Sequence, residues 1–181
     1  MKNMNPVKKS KRCKLKHKPY DERYPVVAER LRNEIASVTD VFDIEHVGST
    51  SIPGSSGKGI IDLLALYPEG KLEQTKEILL SIGFCEQGED FPFKWPEDRP
   101  MYLGIYNFGG DSFTIYIHVI RNDSKEVKRF LAFRESLRKN TDLLREYCEV
   151  KESLITEGVK DPDEYTKRKN PIIKKILEQR G

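Results

Sequence analysis

The sequence predicts an α+β fold with a helical C-terminal part. Short apolar segments typical of strands alternate with segments of helical periodicity over the first two thirds of the chain, whereas the last third has helical periodicity throughout. No internal repeat is visible, and 181 residues suit one ordinary domain. The same patterns also fit a small sheet domain with an appended helical subdomain.

The first third of the chain predicts a helix, two strands and a polar loop. Apolar side chains recur at helical spacing over 24–38, where Pro25 fits only in the first turn. Strands are predicted at 41–47 and 60–66. They enclose a loop at 48–59, in which nine of the twelve residues are Gly, Ser or Thr.

The middle of the chain predicts a second helix and a hairpin. Apolar residues at helical spacing indicate a helix over 72–82, which Gly83 ends. Strands at 101–107 and 112–120 flank the turn sequence Phe-Gly-Gly-Asp, which is typical of a hairpin. Alternation along the second of these strands divides its side chains between two faces, one of which carries Thr114, Tyr116 and His118.

The last third predicts three helices, over 124–138, 141–157 and 162–179. Asp161 is a good N-cap for the third of them and is followed by a first-turn proline. Pro171 should kink or split that helix, because proline lacks the N–H that a helix interior requires.

The charges divide the chain near residue 19. Residues 1–19 hold eight lysine or arginine side chains and no acid, and residues 20–181 hold 24 basic and 29 acidic side chains. We expect the first segment to be a disordered arm, since like charges repel and it has little apolar surface to bury. The arm is either a solvated tail or a weak contact for a polyanion. The acidic remainder argues against a domain that coats itself in nucleic acid.

The cysteines and the hydropathy predict a cytoplasmic protein. Cys13, Cys85 and Cys148 are far apart and form no C-x-x-C pair, which fits a reducing compartment and gives no zinc site. No apolar run approaches the roughly 20 residues of a membrane span. The basic start of the chain has no apolar stretch behind it and therefore does not resemble a secretory signal.

The loop at 48–59 and the strand after it carry the most information about function. Glycine- and hydroxyl-rich loops let backbone N–H groups and hydroxyls approach a phosphate, although this loop does not match G-x-x-x-x-G-K-[ST]. Asp62 interrupts the apolar strand, where an ionised carboxylate is costly unless it is paired or metal-bound. A carboxylate there is a candidate Mg²⁺ ligand. The alternatives are a salt bridge with Lys58 or a hydrogen bond to the loop.

Four further residues have both a functional and a structural interpretation. His46 and His118 are either metal ligands or general bases, or they are satisfied core histidines. Lys58 is either a charge for a phosphate oxygen or the partner of the strand carboxylate. Arg134 lies on an apolar helix face, where its guanidinium needs an acceptor, either a substrate phosphate or a structural carboxylate.

Three other residues are weaker candidates. Lys151 and Lys169 stand on predicted helices that could border a pocket, but we expect them on solvated faces. Trp95 belongs to an aromatic loop, 91–96, and either stacks on a base or anchors the loop to the body.

The stretch Glu45–Gly54, followed by Lys58 and Ile60-Ile61-Asp62, resembles the signature of the GrpB family. The resemblance extends over about residues 19–180. Further matches follow in the family's order: Gly83-Phe84, Ile117-His118-Val119, the helix 130–138, Tyr147, Lys151, Tyr165 and Lys169.

The resemblance implies a nucleotidyltransferase-like mixed sheet flanked by helices. It also implies a nucleotide or phosphorylated small molecule as ligand, and transfer of a nucleotidyl group from a nucleoside triphosphate to an unknown acceptor. The groups expected to hold the ligand are Gly48, Ser49, Thr50, Ser51, Lys58 and His46. Mg²⁺ would sit at Asp62, with His118 or Arg134 facing the transferred group.

The sequence departs from that family pattern at sites that matter for chemistry. Leu64 and His118 stand where the fold family carries its second and third metal-binding acids. Gly59 replaces a proline before the strand, and Tyr116 replaces a second histidine. The alternative function is therefore a non-catalytic module that binds a nucleotide or another phosphoryl ligand.

Overall fold

The structure is a computed structural model that describes residues 17–88 and 95–179. Most of the predicted arm and residues 91–94 of the aromatic loop lie outside the described residues. Where the arm meets the body, the Lys18 N–H donates to the Gly57 carbonyl at 2.7 Å, and the Gly57 N–H donates to the Lys18 carbonyl at 2.9 Å. The body's contacts therefore begin within the segment predicted as an arm, which should end before Lys18.

The helices and strands expected from periodicity are present. The structure also has a 3₁₀ turn and a two-residue strand, both too short for a periodic pattern to reveal them. In chain order the elements are α1 (Arg23–Ala36), β1 (Asp43–Val47), the 3₁₀ turn (Ser49–Ser51), β2 (Ile60–Tyr67), α2 (Leu72–Ser81), β3 (Cys85–Glu86), β4 (Met101–Phe108), β5 (Asp111–Arg121), α3 (Lys125–Lys139), α4 (Thr141–Thr156) and α5 (Pro162–Glu178). No helix in the described part of the chain is long and apolar enough to cross a membrane.

The strands form one mixed sheet in the order β1-β2-β5-β4-β3. β2 and β5 are parallel, and the other neighbouring pairs are antiparallel. The predicted hairpin joins β4 to β5 through Gly109 and Gly110, both with positive φ. A two-residue turn with that backbone matches the twist of the strands it connects, and glycine adopts it without steric cost.

The two faces of the sheet pack against different helices. The face that carries Ile61, Leu63 and Ala65 packs against α1 and α2. The other face carries the predicted site, and there Leu64 and Ile120 pack against the start of α3. Strand alternation predicted this division, because successive side chains of a strand point to opposite faces.

The C-terminal helices pack on one another and on the loop. Leu137, Leu143, Tyr147 and Ile176 form their core, into which the loop residue Ile52 inserts with no exposed surface. The loop thus connects the helical part to the sheet. The split expected at Pro171 is absent. Pro171 is exposed, so the carbonyl left without a partner one turn earlier can bond to water.

Candidate functional site

Asp62 lies on β2 against the backbone of Gly48. Gly48 has φ +70°, and a Cβ added there would stand 2.5 Å from Asp62 Oδ2. The chain therefore passes so close to the carboxylate that only glycine fits. The Asp62 side chain is 28% exposed, and its Oδ1 lies 3.6 Å from Nε2 of His118 on β5. This separation is too long for a hydrogen bond.

His118 is enclosed by aromatic rings. Its ring centroid lies 5.1 Å from that of Trp95 and 5.7 Å from that of Phe130. This edge contact supports the interpretation of Trp95 as an anchor for its loop. Nδ1 of His118 is buried and has no hydrogen-bond partner among the described residues. His118 therefore lies beside Asp62, and in the described part of the structure its other nitrogen is unsatisfied.

The three loop hydroxyls that the sequence predicted as ligand contacts have different roles. Ser51 donates to the Gly48 carbonyl at 2.7 Å, and Thr50 Oγ1 lies 3.0 Å from His46 Nε2. Both hydroxyl residues are 2% exposed, so the structure turns these two predicted ligand contacts inward. Ser49 is partly exposed, and its hydroxyl bonds to no described residue. It packs so closely on Gly57 that a Cβ there would stand 2.8 Å away.

His46 does not share the Asp62 face. In the register of β1 and β2, His46 pairs with Leu63, whereas Asp62 pairs with Val47. Paired residues share a face, so the His46 and Asp62 side chains point to opposite faces of the sheet. Burial lowers the pKa of His46 to about 4, although the Asp62 charge opposes this shift. His46 is therefore a neutral group that contacts Thr50 in the loop and points away from the Asp62 face, where the sequence analysis expected it to contact a ligand.

Arg134 is satisfied by the protein itself. Its Nη1 donates to Glu45 Oε2 at 3.0 Å and to the His46 carbonyl at 2.7 Å, and its Nε donates to Glu135 Oε1 at 3.0 Å. These contacts favour the structural carboxylate as the acceptor of Arg134 over a substrate phosphate.

Arg138, one turn further along α3, is a residue beside the candidate site that the sequence analysis missed. Its Nε and Nη2 both donate to the Ser51 carbonyl, at 3.0 and 2.7 Å. Its spacing of four residues from Arg134 on the same helix was the available signal. Together the two arginines fasten β1 and the 3₁₀ turn to α3.

Lys151 is buried beneath the loop rather than solvated as expected. It is 1% exposed, and its Nζ donates to Ser55 Oγ at 3.0 Å and to the Ser56 carbonyl. The ammonium also lies 4.0 Å from the ring centroid of Tyr147, one turn earlier on α4. Burial lowers the pKa of Lys151 to about 8. Its hydrogen bonds make it a residue that positions the loop.

Two more lysines approach a single tyrosine. Nζ of Lys58 lies 5.0 Å from the Tyr165 ring centroid, and Nζ of Lys169 lies 5.2 Å from it. Both lysines are half-buried, so the solvated face expected for Lys169 is also wrong. Burial lowers the pKa of Lys169 to about 8, with the charge of Lys58 acting in the same direction and that of Asp62 against it. On both α4 and α5 a lysine follows a tyrosine by four residues. This spacing was the sequence signal that each lysine lies beside its tyrosine.

The charges of Lys58 and Asp62 both act on Lys169, His118 lies beside Asp62, and Ser49 lies against the loop residue before Lys58. We call this group of residues, Ser49, Lys58, Asp62, His118 and Lys169, the polar cleft. Within 17–88 and 95–179, no three histidine, cysteine or acidic side chains come close enough to share a metal ion. Glu45, which shares the Asp62 face, is held by Arg134. This donor set does not fit a two-metal centre, which depends on several carboxylates. Its ammonium and hydroxyl donors do fit an anion.

Solved structures share this fold. A conserved protein GrpB from Enterococcus faecalis superposes with a TM-score of 0.71 and 24% identity, covering 91% of this chain and 98% of its own. A cytoplasmic RNA terminal U-transferase superposes with a TM-score of 0.55 and 15% identity, covering 80% of this chain and 43% of that one. At these identities the likeness shows the fold alone, which is nucleotidyltransferase-like as the resemblance implied.

Sequence relatives extend along most of the chain. A UPF0157 protein of Halalkalibacterium halodurans is 31% identical over 163 residues, which cover 88% of this chain and 79% of that protein. A UPF0157 protein of Vibrio cholerae is 31% identical over 146 residues, covering 81% and 71% respectively. The family model described as GrpB protein matches residues 14–179. The chain therefore belongs to the GrpB family.

Proposed function

We propose that this chain binds a nucleotide or another phosphorylated small molecule in the polar cleft. The observation that carries the proposal is the pair of half-buried ammonium groups, Lys58 and Lys169, on the ring of Tyr165. Like charges held in a partly desolvated position repel one another, and a bound anion relieves that repulsion. Asp62 supplies an opposite charge that acts on Lys169, against the charge of Lys58.

The loop beside these lysines is held from three sides, which supports a preformed site. Arg138 fastens its first turn, Lys151 bonds to Ser55 and Ser56, and the Lys18 backbone pairs with Gly57. Ordering a loop on binding costs conformational entropy, so a loop held in advance binds a ligand more tightly. The hydroxyl of Ser49 remains available as a donor within this rigid frame.

A second candidate function is transfer of a nucleotidyl group from a nucleoside triphosphate to an unknown acceptor with Mg²⁺ at Asp62. It is supported by the position of Asp62 and His118 on neighbouring strands, beside the Gly48-Ser49 turn, in a fold shared with an RNA terminal U-transferase. Leu64 argues against it. This residue occupies the place of the second acid and is fully buried in an apolar cluster. Binding without transfer is therefore the better-supported function.

A thermal-shift panel of nucleoside triphosphates, with and without Mg²⁺, tests the proposal. A ligand at 100 times its Kd adds about 2.7 kcal/mol to the unfolding free energy, which is a readily measured rise in Tm. We expect such a rise with at least one nucleotide. It should be lost in Lys169→Gln and kept in Lys167→Gln, an exposed lysine on the same helix. If no nucleotide raises Tm, a nucleotide is not the ligand.

Incubation with α-labelled triphosphate and candidate acceptors separates the two functions. Labelled product that disappears in Asp62→Ala would establish transfer. Binding without labelled product is the result expected for the binding module.

A further inference from the structure

We propose that the polar cleft holds the phosphate groups of its ligand on lysine ammonium groups, without a resident divalent metal. This inference rests on the proposed function and names the chemistry of recognition: a di- or triphosphate chain bound as a free polyanion. Three features of the described residues carry it, namely the positions of the ammonium groups, the metal-donor set and the setting of Asp62.

The first feature is the arrangement of the cations. Lys58 comes from the loop and Lys169 from α5, and both ammonium groups lie about 5 Å from the Tyr165 ring centroid. The charge of Lys58 also acts on Lys169, so one polyanion near Tyr165 would interact with both ammonium groups. Lys169 makes no ion pair with a described residue. An ammonium has three donors and binds phosphate as a point charge, so Lys169 is suited to this role.

A third lysine, Lys151, adds positive charge from beneath the loop. Lys151 is 1% exposed and bonded to Ser55 and Ser56, so its burial keeps it from contacting a ligand. Its ammonium lies just beneath Gly57, where a Cβ would stand 3.8 Å from Nζ and 2.8 Å from the Ser49 hydroxyl. A buried charge is only weakly screened by solvent, so Lys151 raises the potential at the Ser49 side of the cleft.

The second feature is the metal-donor set. Mg²⁺ takes oxygen ligands, commonly one or two carboxylates completed by substrate phosphates. Among the described residues the cleft offers the single carboxylate of Asp62. The nearest further donor is the imidazole of His118, a ligand better suited to transition metals. The place of a second acid is taken by the buried side chain of Leu64.

The third feature is the setting of Asp62, which allows one substitution to distinguish the metal-free model from a metal-bound one. If a metal joins Asp62 to the phosphates, removing the carboxylate charge weakens binding. If no metal is present, the same carboxylate repels the phosphates, and removing its charge strengthens binding. Asparagine has nearly the shape of aspartate and preserves the packing against Gly48, so Asp62→Asn changes charge with little change in volume. The two models thus predict opposite signs for one substitution.

The experiment is calorimetric titration of the full chain with inorganic tripolyphosphate, first in EDTA and then with Mg²⁺. We expect binding in EDTA that weakens about tenfold or more in Lys169→Gln, because a charge-assisted contact is lost. Lys167→Gln, an exposed position on the same helix, should bind as the wild type does. Asp62→Asn should bind more tightly than the wild type in EDTA. Circular dichroism verifies that each variant is folded.

The outcomes distinguish this inference from the proposed function. Binding that appears only with Mg²⁺ and is lost in Asp62→Asn overturns the metal-free model and leaves the proposed function standing. Equal weakening in Lys167→Gln and Lys169→Gln shows general surface attraction and also overturns the inference. If neither tripolyphosphate nor any nucleoside triphosphate binds under either condition, the proposed function fails as well.

Discussion

Lys151→Met tests whether the buried lysine beneath the loop carries a strongly perturbed charge. The lysine is 1% exposed on α4, with its ammonium against Ser55, Ser56 and the ring of Tyr147. Methionine has a similar length and fills the same volume without a charge. The substitution therefore removes the desolvated ammonium and its two hydrogen bonds while leaving the helix sequence otherwise unchanged.

The magnitude follows from the pKa of the group. Burial lowers the pKa of Lys151 to about 8, against 10.5 for a free lysine. Between these values the unfolded chain keeps a proton that the folded chain has lost, so stability rises with pH. The buried charge therefore lowers the unfolding free energy by its full amount below pH 8. It no longer does so above 10.5, the pKa of lysine in the unfolded chain. At about 1.4 kcal/mol per pKa unit, the full change is about 3 kcal/mol.

Urea unfolding of the wild type and Lys151→Met at about pH 7.5 and about pH 9.5 measures this effect. The wild type should gain about 2 kcal/mol relative to the variant over that interval. Loss of the hydrogen bonds to the loop shifts the difference in unfolding free energy between the two proteins by a nearly constant amount. It does not change how that difference varies with pH. Lys167→Met, at an exposed position, should show no slope. A difference that is flat, or that falls with pH, would refute the assignment of a desolvated charge to Lys151.

Three further predictions concern the loop and the arm. Gly48→Ala should lower the unfolding free energy by about 1 to 3 kcal/mol more than Gly70→Ala, since both have positive φ but a Cβ meets a neighbour only at Gly48. Arg138→Ala should cost about 2 kcal/mol in urea unfolding by freeing a loop carbonyl, whereas the exposed Arg145→Ala should cost less than about 0.5 kcal/mol. Deleting residues 2–16 should leave Tm and any nucleotide-induced shift unchanged.

Each of these predictions has a contrary result. Equal costs at Gly48 and Gly70 would mean that the close approach to the carboxylate is unimportant. Equal costs at the two arginines would mean that the loop needs no clamp from α3. A lower Tm, or a lost nucleotide shift, after the deletion would show that the arm contributes to the body or to its site.

Asp62 and His46 differ in how far along the chain the information about their positions extends. Asp62 was recognisable because it interrupts an apolar strand directly after a glycine-rich loop, which is information contained in a few consecutive residues. His46 lies one residue from the turn, and its orientation depends on how β1 aligns with β2. The observed register pairs Val47 with Asp62. A one-residue change of register reverses the faces, and local sequence did not specify the alignment.

The surroundings of Arg134 and Lys151 were not predictable from the sequence for a different reason. Arg134 finds its acceptors on β1, 88 and 89 residues away along the chain. Lys151 is buried because a loop 95 and 96 residues away folds over it. Helical periodicity reveals which face of a helix is apolar, but it does not reveal which distant segment covers a polar residue at the edge of that face.

The sequence by itself determined the helices and strands, the family, and the loop and carboxylate at the centre of the site. These features depend on periodicity, turn chemistry and a short motif, all of which act between residues close along the chain. Only the tertiary structure decided which side chains share that site. It turned Thr50, Ser51 and His46 inward and brought Lys58 and Lys169 to one ring. The physical reason is that strand register and helix packing arise from contacts between residues far apart in sequence, whose net effect no local pattern records.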